Sequence, residues 1–90
     1  MFDWDESNIS HIARHGVTPE EAEQALSNNP SEAILQVHDN EERYYQIGMT
    51  DAHRCLVLVT TWRNDGQIRI VTAYPASPAL RRMYLKRKGL

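Results

Sequence analysis

The chain has 90 residues, of which 41% are hydrophobic and 24% charged, and its formal net charge is −2. This length fits one domain over residues 1–90, and the composition is typical of a globular fold rather than of disorder. The apolar runs are too short to cross a bilayer, and the acidic N-terminus lacks the pattern of a secretion signal. The single cysteine, Cys55, cannot form an internal disulfide, so we expect a reducing compartment, the cytoplasm by default.

The charge is distributed unevenly along the chain. Residues 1–45 carry ten Asp and Glu against two Lys and Arg, whereas residues 46–90 carry two against eight. Half of all Lys and Arg lie between Arg81 and Lys88. This asymmetry indicates either a polyanion or acidic partner, or a solvated helix that offsets the acidic half.

A first helix is predicted from Asp5 to His15, where apolar residues recur at helical spacing. Asp5 or Ser7 is its N-cap, because both side chains can accept a hydrogen bond from the first turn. Gly16 follows it and suits the left-handed position that ends many helices.

A second helix is predicted to follow at once and to end near residues 28–30. Thr18 is its N-cap, Pro19 occupies the first helical position and Glu21 stands three residues after the cap. This is the pattern of a capping box with proline where the helix tolerates it.

Four strands are then predicted, at residues 33–37, 43–49, 55–62 and 67–73. Strict alternation in the last strand would place Arg69, Val71 and Ala73 on one face. A final helix begins with Ser77 as N-cap and Pro78 at the first position. Because short turns join consecutive strands, we predict an α+β fold with two N-terminal helices, a four-stranded antiparallel sheet and a C-terminal helix.

Few motifs point to a reaction. The chain has no glycine-rich phosphate loop, paired-cysteine motif or zinc-protease motif. His11 and His15 are four residues apart, but a metal would need a third ligand that is not evident, so no metal or cofactor is expected. An exposed helix face is the simpler interpretation of this pair, and a small core residue that of Cys55.

Arginines of the predicted sheet suggest an anion-binding surface. Arg43 opens the second strand, Arg63 follows the third and Arg69 lies within the fourth. Their guanidinium groups suit RNA phosphates, and Trp62 and Tyr74 offer rings on which bases stack. The alternative is that these arginines form local ion pairs and keep the sheet soluble.

The ordered set of motifs resembles the BrnT family of RelE-like toxins from bacterial toxin–antitoxin pairs. The resemblance covers nearly the whole chain and rests on Phe2-Asp3-Trp4-Asp5-Glu6, Arg14-His15-Gly16-Val17, Thr18-Pro19-Glu20-Glu21-Ala22, Glu42-Arg43-Tyr44, Ile47-Gly48, residues 56–63, residues 68–73, and Arg81-Arg82 with Tyr84. It implies a RelE-like sheet and a metal-free endoribonuclease that blocks translation. It also implies a BrnA-like antitoxin as partner, with operator DNA bound only through the toxin–antitoxin complex.

The resemblance also gives the arginines and nearby residues expected roles in RNA cleavage. Metal-free cleavage needs a base, an acid and cations around the phosphate. The expected catalytic residues are His15 as acid or base, Arg63 and Arg69 as cations on the phosphate, and Tyr84. The expected RNA-binding residues are Arg43, Trp62, Tyr74, Arg81 and Arg82.

Three positions depart from the family pattern. Residues 7–11 contain no lysine, Tyr74 stands where the family often has arginine, and Leu80 stands where an acidic residue often precedes the paired arginines. The alternative function is therefore a BrnT-like interaction module with weak or no nuclease activity that binds an antitoxin-like partner and operator DNA. A homodimer, and burial of the acidic half against a partner, both stay open.

Overall fold

The computed structural model describes residues 1–89. The elements follow in the order α1 Glu6–Ala13, α2 Pro19–Ser27, β1 Ile34–His38, β2 Glu41–Met49, β3 Cys55–Trp62, β4 Ile68–Pro75 and α3 Pro78–Arg87. The four strands form one antiparallel sheet in the order β1-β2-β3-β4. The predicted fold class, an α+β arrangement with helices before and after the sheet, is confirmed.

Helix α1 begins where a reciprocal pair of hydrogen bonds closes its first turn. Asp5 is the N-cap, and its Oδ1 accepts from the backbone N–H of Asn8 at 3.2 Å while the Asn8 side chain accepts from the Asp5 N–H at 2.8 Å. The helix ends at Ala13, two residues earlier than predicted. Gly16 follows with φ of +72°, the left-handed conformation expected of it.

Helix α2 has the predicted capping box. The Thr18 hydroxyl accepts from the Glu21 N–H at 3.1 Å, and the Glu21 side chain accepts from the Thr18 N–H at 3.0 Å. The helix lies directly on β2, because Gly48 has no side chain: a Cβ there would lie 2.2 Å from the Ala25 carbonyl oxygen. This glycine therefore sets the distance between helix and sheet.

The first hairpin is tighter than the sequence indicated. Asp39 and Asn40 both have positive φ, 51° and 64°, and they alone separate the strands. Two such residues are typical of a type I′ turn, which matches the twist of the flanking strands. Strand β2 therefore begins at Glu41, two residues before its predicted start.

A register shift in the last hairpin corrects one predicted face. The shift lies between Val59 and Thr60, so that Thr60 pairs with Ile70 and Val59 with Thr72. Ala73 therefore lies on the same face as Ile70, in the core, and Thr72 lies on the face of Arg69. The predicted grouping of Ala73 with Arg69 is wrong, because the β-bulge adds one residue to β4 and breaks the strict alternation.

The core lies between the sheet and the first two helices. Its buried cluster consists of Ile12, Val17, Ala22, Ala25, Leu56, Leu58, Ile70 and Ala73. Helix α3 packs across part of the opposite face, where Leu80 and Tyr84 line a cavity with Val57. On the rest of that face, Arg43 of β2 and Arg69 of β4 line a cleft.

Candidate functional site

A cleft of about 520 Å³ lies between α1 and the face of the sheet opposite the core. Three arginines and one histidine give it its chemistry, and the full lining is Ser7, Asn8, Ser10, His11, Arg14, Arg43, Arg69, Val71 and Thr72. No lining residue is a carboxylate. The cleft is therefore a cationic surface of the kind that attracts phosphate groups.

Helical and strand periodicity together bring these side chains to one place. On α1, His11 and Arg14 lie one turn apart and share a face. On the sheet, Arg69 of β4 pairs with Thr61 of β3. On the other side of β3, Tyr44 of β2 pairs with Thr60, so the preceding residue, Arg43, lies opposite Thr61. Arg43 and Arg69 consequently flank Thr61 on the same face of the sheet.

Asp3 and Asp5 of the N-terminal segment form ion pairs with Arg63 and Arg69, two of the arginines expected from the sequence to act on RNA. Arg69 donates from its two terminal nitrogens to both Asp5 oxygens, at 2.9 and 3.1 Å, and also reaches Asp3 Oδ2 at 3.4 Å. Arg63 Nε lies 3.3 Å from the same Asp3 oxygen. The hydrogen bonds that Arg69 donates to Asp5 lower the pKa of Asp5 and raise the pKa of Arg69, so this pair stays ionised.

The remaining two arginines of the cleft differ in their pairing. Arg43 Nε donates to Glu41 Oε1 at 2.9 Å. Arg14 takes part in no ion pair with any residue of the described range 1–89. Arg14 is thus the cation of the cleft whose guanidinium charge is least offset.

His15 does not line the cleft itself but lies beside His11, which does, and its ring contacts two other rings. Its imidazole is edge-on to His11, with ring centroids 5.5 Å apart, and tilted against Tyr74 at 5.9 Å. The structure therefore brings His15, His11 and Tyr74 together. Two of these residues, His15 and Tyr74, were expected from the sequence to act on RNA. His11 had been interpreted as part of an exposed helix face, and it is exposed.

Helix α3 does not contribute to the cleft. Tyr84 is only 4% exposed, its hydroxyl donates to the Asn29 carbonyl at 3.0 Å, and burial raises its pKa. Arg81 donates to the His53 carbonyl at 3.3 Å, and Arg82 is exposed to solvent. Helix α3 lies across the other end of this face, so these α3 residues stand apart from the sheet arginines, and their expected roles in RNA cleavage stay predictions.

Trp62 is also separated from the cleft. It is 59% exposed and lines a groove with Phe2, Tyr44 and Ile68, on the face of the sheet that bears α2. The expected stacking of RNA bases on Trp62 would thus take place on the other side of the sheet from Arg69.

Sequence reasoning named only Arg43 and Arg69 among the nine lining residues, and the residues it missed include His11, Arg14 and Thr72. One signal was available, because Arg14 is one of only two basic residues in the acidic first half. No sequence signal pointed to Thr72, because its position on the face of Arg69 depends on the β-bulge. Its buried Oγ1 has no hydrogen-bond partner among residues 1–89, so the wall of the cleft holds an unused polar atom.

Two further properties bear on the class of protein. Throughout residues 1–89, no helix combines the length and apolar character needed to cross a membrane. The same residues contain no group of three or more His, Cys, Asp or Glu placed to hold a metal ion. Fold and site together define a small α+β protein with a cationic cleft.

Comparison of the sequence with known protein families identifies the class of protein more closely. Residues 4–79 match the family described as ribonuclease toxin, BrnT, of type II toxin–antitoxin system. The match covers most of the chain, and the chain belongs to this family. It is accordingly the toxin of a type II toxin–antitoxin pair with ribonuclease activity, and an antitoxin is its implied partner. No curated protein matches the sequence.

Proposed function

We propose that the chain is a metal-independent endoribonuclease that cleaves cellular RNA in the cationic cleft and thereby inhibits translation. The observation that carries this proposal is the lining of the cleft, which holds three arginines and His11 and no carboxylate. Guanidinium groups suit the phosphate of a bound strand, and an imidazole can carry the protons of the reaction.

The chemistry requires no group beyond these side chains. The 2′-oxygen of the substrate attacks the adjacent phosphorus, the bond from phosphorus to the 5′-oxygen breaks, and a 2′,3′-cyclic phosphate and a free 5′-hydroxyl result. A base takes the proton of the 2′-hydroxyl, and an acid gives one to the 5′-oxygen. Cations stabilise the negative charge that grows on the phosphorane oxygens.

We assign the proton transfers to His11 and His15. Their ring centroids lie 5.5 Å apart at the edge of the cleft, and no other pair of imidazoles within residues 1–89 is in ring contact. Arg14 and Arg43 then stabilise the phosphorane, and Tyr74 orients His15 through its tilted ring contact.

Arg69 has a different role in this account. Both of its terminal nitrogens are bound by Asp5, the N-cap of the helix that carries His11 and Arg14. We therefore assign Arg69 as a positioning residue that fixes α1 against β4. Arg63, held by Asp3, is not assigned to phosphate binding.

The alternative function, an interaction module with weak or no nuclease activity, has one observation in its favour. Carboxylates engage Arg43 and Arg69, two of the three arginines of the cleft, so that the cleft has fewer free cations than the sequence indicates. In this alternative the chain binds an antitoxin-like partner and, through the complex, operator DNA. In the principal proposal the partner is a BrnA-like antitoxin that supplies most of the DNA contacts.

Induced expression in a bacterial host separates the two functions. The unmodified chain should arrest growth and deplete RNA, and His11→Ala, His15→Ala and Arg14→Ala should each relieve the arrest. The matched controls are His38→Ala and Arg87→Ala, which remove an exposed imidazole and guanidinium away from the cleft and should leave the arrest unchanged. If the unmodified chain neither arrests growth nor depletes RNA, the interaction module is the better account.

A further inference from the structure

The two edge strands of the sheet, β4 and β1, differ in whether other segments of the chain form hydrogen bonds to their outer sides. At β4, the Asp3 N–H donates to the Ile68 carbonyl at 2.8 Å, the Ile68 N–H donates to the Met1 carbonyl at 2.9 Å, and Asn8 Nδ2 donates to the Ile70 carbonyl at 3.1 Å. These bonds cover the first part of the β4 edge, at residues 68–70. At β1, all five residues are exposed, and no other strand of residues 1–89 pairs with its outer side.

Strand β1 also lacks the features with which natural sheets protect an edge. Ile34, Leu35 and Val37 are 62, 49 and 66% exposed. Residues 34–37 contain no charged residue and no proline, and the β1–β2 register is continuous. Because an unprotected apolar edge offers unpaired backbone groups to any extended chain, it marks a pairing site.

Two of the apolar side chains of β1, Leu35 and Val37, lie on the face of the sheet that bears α2 and a groove. Leu35 pairs with Tyr44, and Val37 pairs with Glu42 on the same face. Beside them lies a groove of about 500 Å³ whose apolar lining includes Phe2, Leu26, Tyr44 and Trp62. A strand added at β1 would place alternate side chains next to Leu35 and Val37, on the face that bears this groove.

Charge selects the occupant of this edge. Carboxylates flank β1 at both ends, at Glu32 before it and at Asp39 after it. Antiparallel pairing of two copies of β1 would bring Glu32 of one copy near Asp39 of the other, and like charges placed opposite each other are unfavourable. A partner with basic residues around an apolar stretch fits, and a second copy of this chain does not.

We propose that β1 is the docking edge for the antitoxin, which contributes an extended segment as a fifth strand. The segment pairs with the backbone of Ile34–His38, places alternate apolar side chains beside Leu35 and Val37, and carries Lys or Arg at its ends. This inference rests on the antitoxin partner given by family membership and is independent of how RNA is cleaved. The cleft lies on the opposite face of the sheet.

The test uses the full chain and the purified cognate antitoxin. Binding is titrated with the unmodified chain and with a Leu35→Lys, Val37→Lys double variant, whose two sites are exposed. The matched control is Ile9→Lys, which places lysine at an exposed apolar site on α1, the helix that packs against β4 at the other side of the sheet. We expect the double variant to weaken binding by roughly tenfold or more and the control to leave binding unchanged.

Hydrogen exchange supplies the second readout, which a disrupted variant cannot mimic. In the complex of the unmodified chain, the amides of residues 34–38 should become protected. A tight complex without protection at β1, or equal binding by the double variant, would overturn the proposal, as would a homodimer of the free chain that protects the same amides. RNA cleavage by the free double variant is measured in parallel and should persist. If the unmodified chain fails to cleave RNA while β1 is still protected by antitoxin, only the proposed function fails.

Discussion

Arg69 and Asp5, 64 residues apart, form a two-pronged ion pair, with both terminal nitrogens of the arginine donating to the carboxylate at 2.9 and 3.1 Å. Asp5 is at the same time the N-cap of α1. One carboxylate therefore begins the helix and attaches it to β4. Through this attachment, the position of His11 and Arg14 in the cleft depends on a residue of the sheet.

We expect Arg69→Lys to reduce both stability and RNA cleavage, since a lysine cannot make the paired hydrogen bonds of a guanidinium. Arg63→Lys is the matched control, because Arg63 makes a single longer contact with the same segment, at 3.3 Å to Asp3. Thermal unfolding and cleavage assays should show a clear loss for Arg69→Lys and little change for Arg63→Lys. Equal behaviour of the two variants would argue against the positioning role.

Acid should destabilise the fold through two carboxylates. The hydrogen bonds from Arg69 to Asp5 and from Arg54 to Glu21 lower the pKa of each carboxyl below its ordinary value of 3.8 or 4.5. Because a lowered folded-state pKa contributes stability above the unfolded value, this contribution is present at neutral pH and is lost as pH falls from about 5 toward 3.

Urea denaturation between pH 7 and pH 3 measures this dependence. The free energy of unfolding should fall on acidification, and the double variant Asp5→Asn, Glu21→Gln should start lower and vary less. A free energy that stays constant or rises as pH falls would contradict the assignment of these pairs.

Gly48→Ala should destabilise the fold by at least about 2 kcal/mol, because an added methyl in a packed interior forces the backbone apart. The methyl would lie 2.2 Å from the Ala25 carbonyl oxygen, an atom of the α2 backbone that cannot rotate away. Glu42→Ala, on the same strand at an exposed site, is the control. Urea denaturation measures both, and a Gly48→Ala variant as stable as the control would mean that α2 does not rest on β2 as described.

Cys55 should be unreactive in the folded protein. Its side chain is buried beneath α3, and burial raises the pKa of the thiol, so the thiolate that reacts with disulfide reagents is scarce at neutral pH. Titration with a chromogenic disulfide should be slow in buffer and immediate in denaturant. Rapid labelling of the native protein would show that α3 leaves the sheet readily.

Local sequence signals predicted most of the fold. The capping box of α2, Gly16 after α1 and the strand order all follow from residues that are near each other in the chain. The β-bulge at Val59–Thr60 and the pairing of Phe2 with Ile68 did not, because both depend on how distant segments fit together.

The site was predicted less completely for the same reason. Arg43, Arg69, His15 and Tyr74 were named from sequence and do lie in or beside the cleft. The sequence could not show that Asp5 binds Arg69. Tertiary contacts decide which charges are free and which are paired. For this reason the proposed catalytic residues include His11 and Arg14, which the sequence had not suggested.

The central claim is that the cleft cleaves RNA without a metal, and the most direct measurement is cleavage of a defined RNA by the purified chain in excess chelator. The account predicts products with 2′,3′-cyclic phosphate and 5′-hydroxyl ends, loss of cleavage in His11→Ala and Arg14→Ala by about a hundredfold or more, and unchanged cleavage in Arg87→Ala. Cleavage that stops in chelator, or that persists undiminished in both cleft variants, would contradict it.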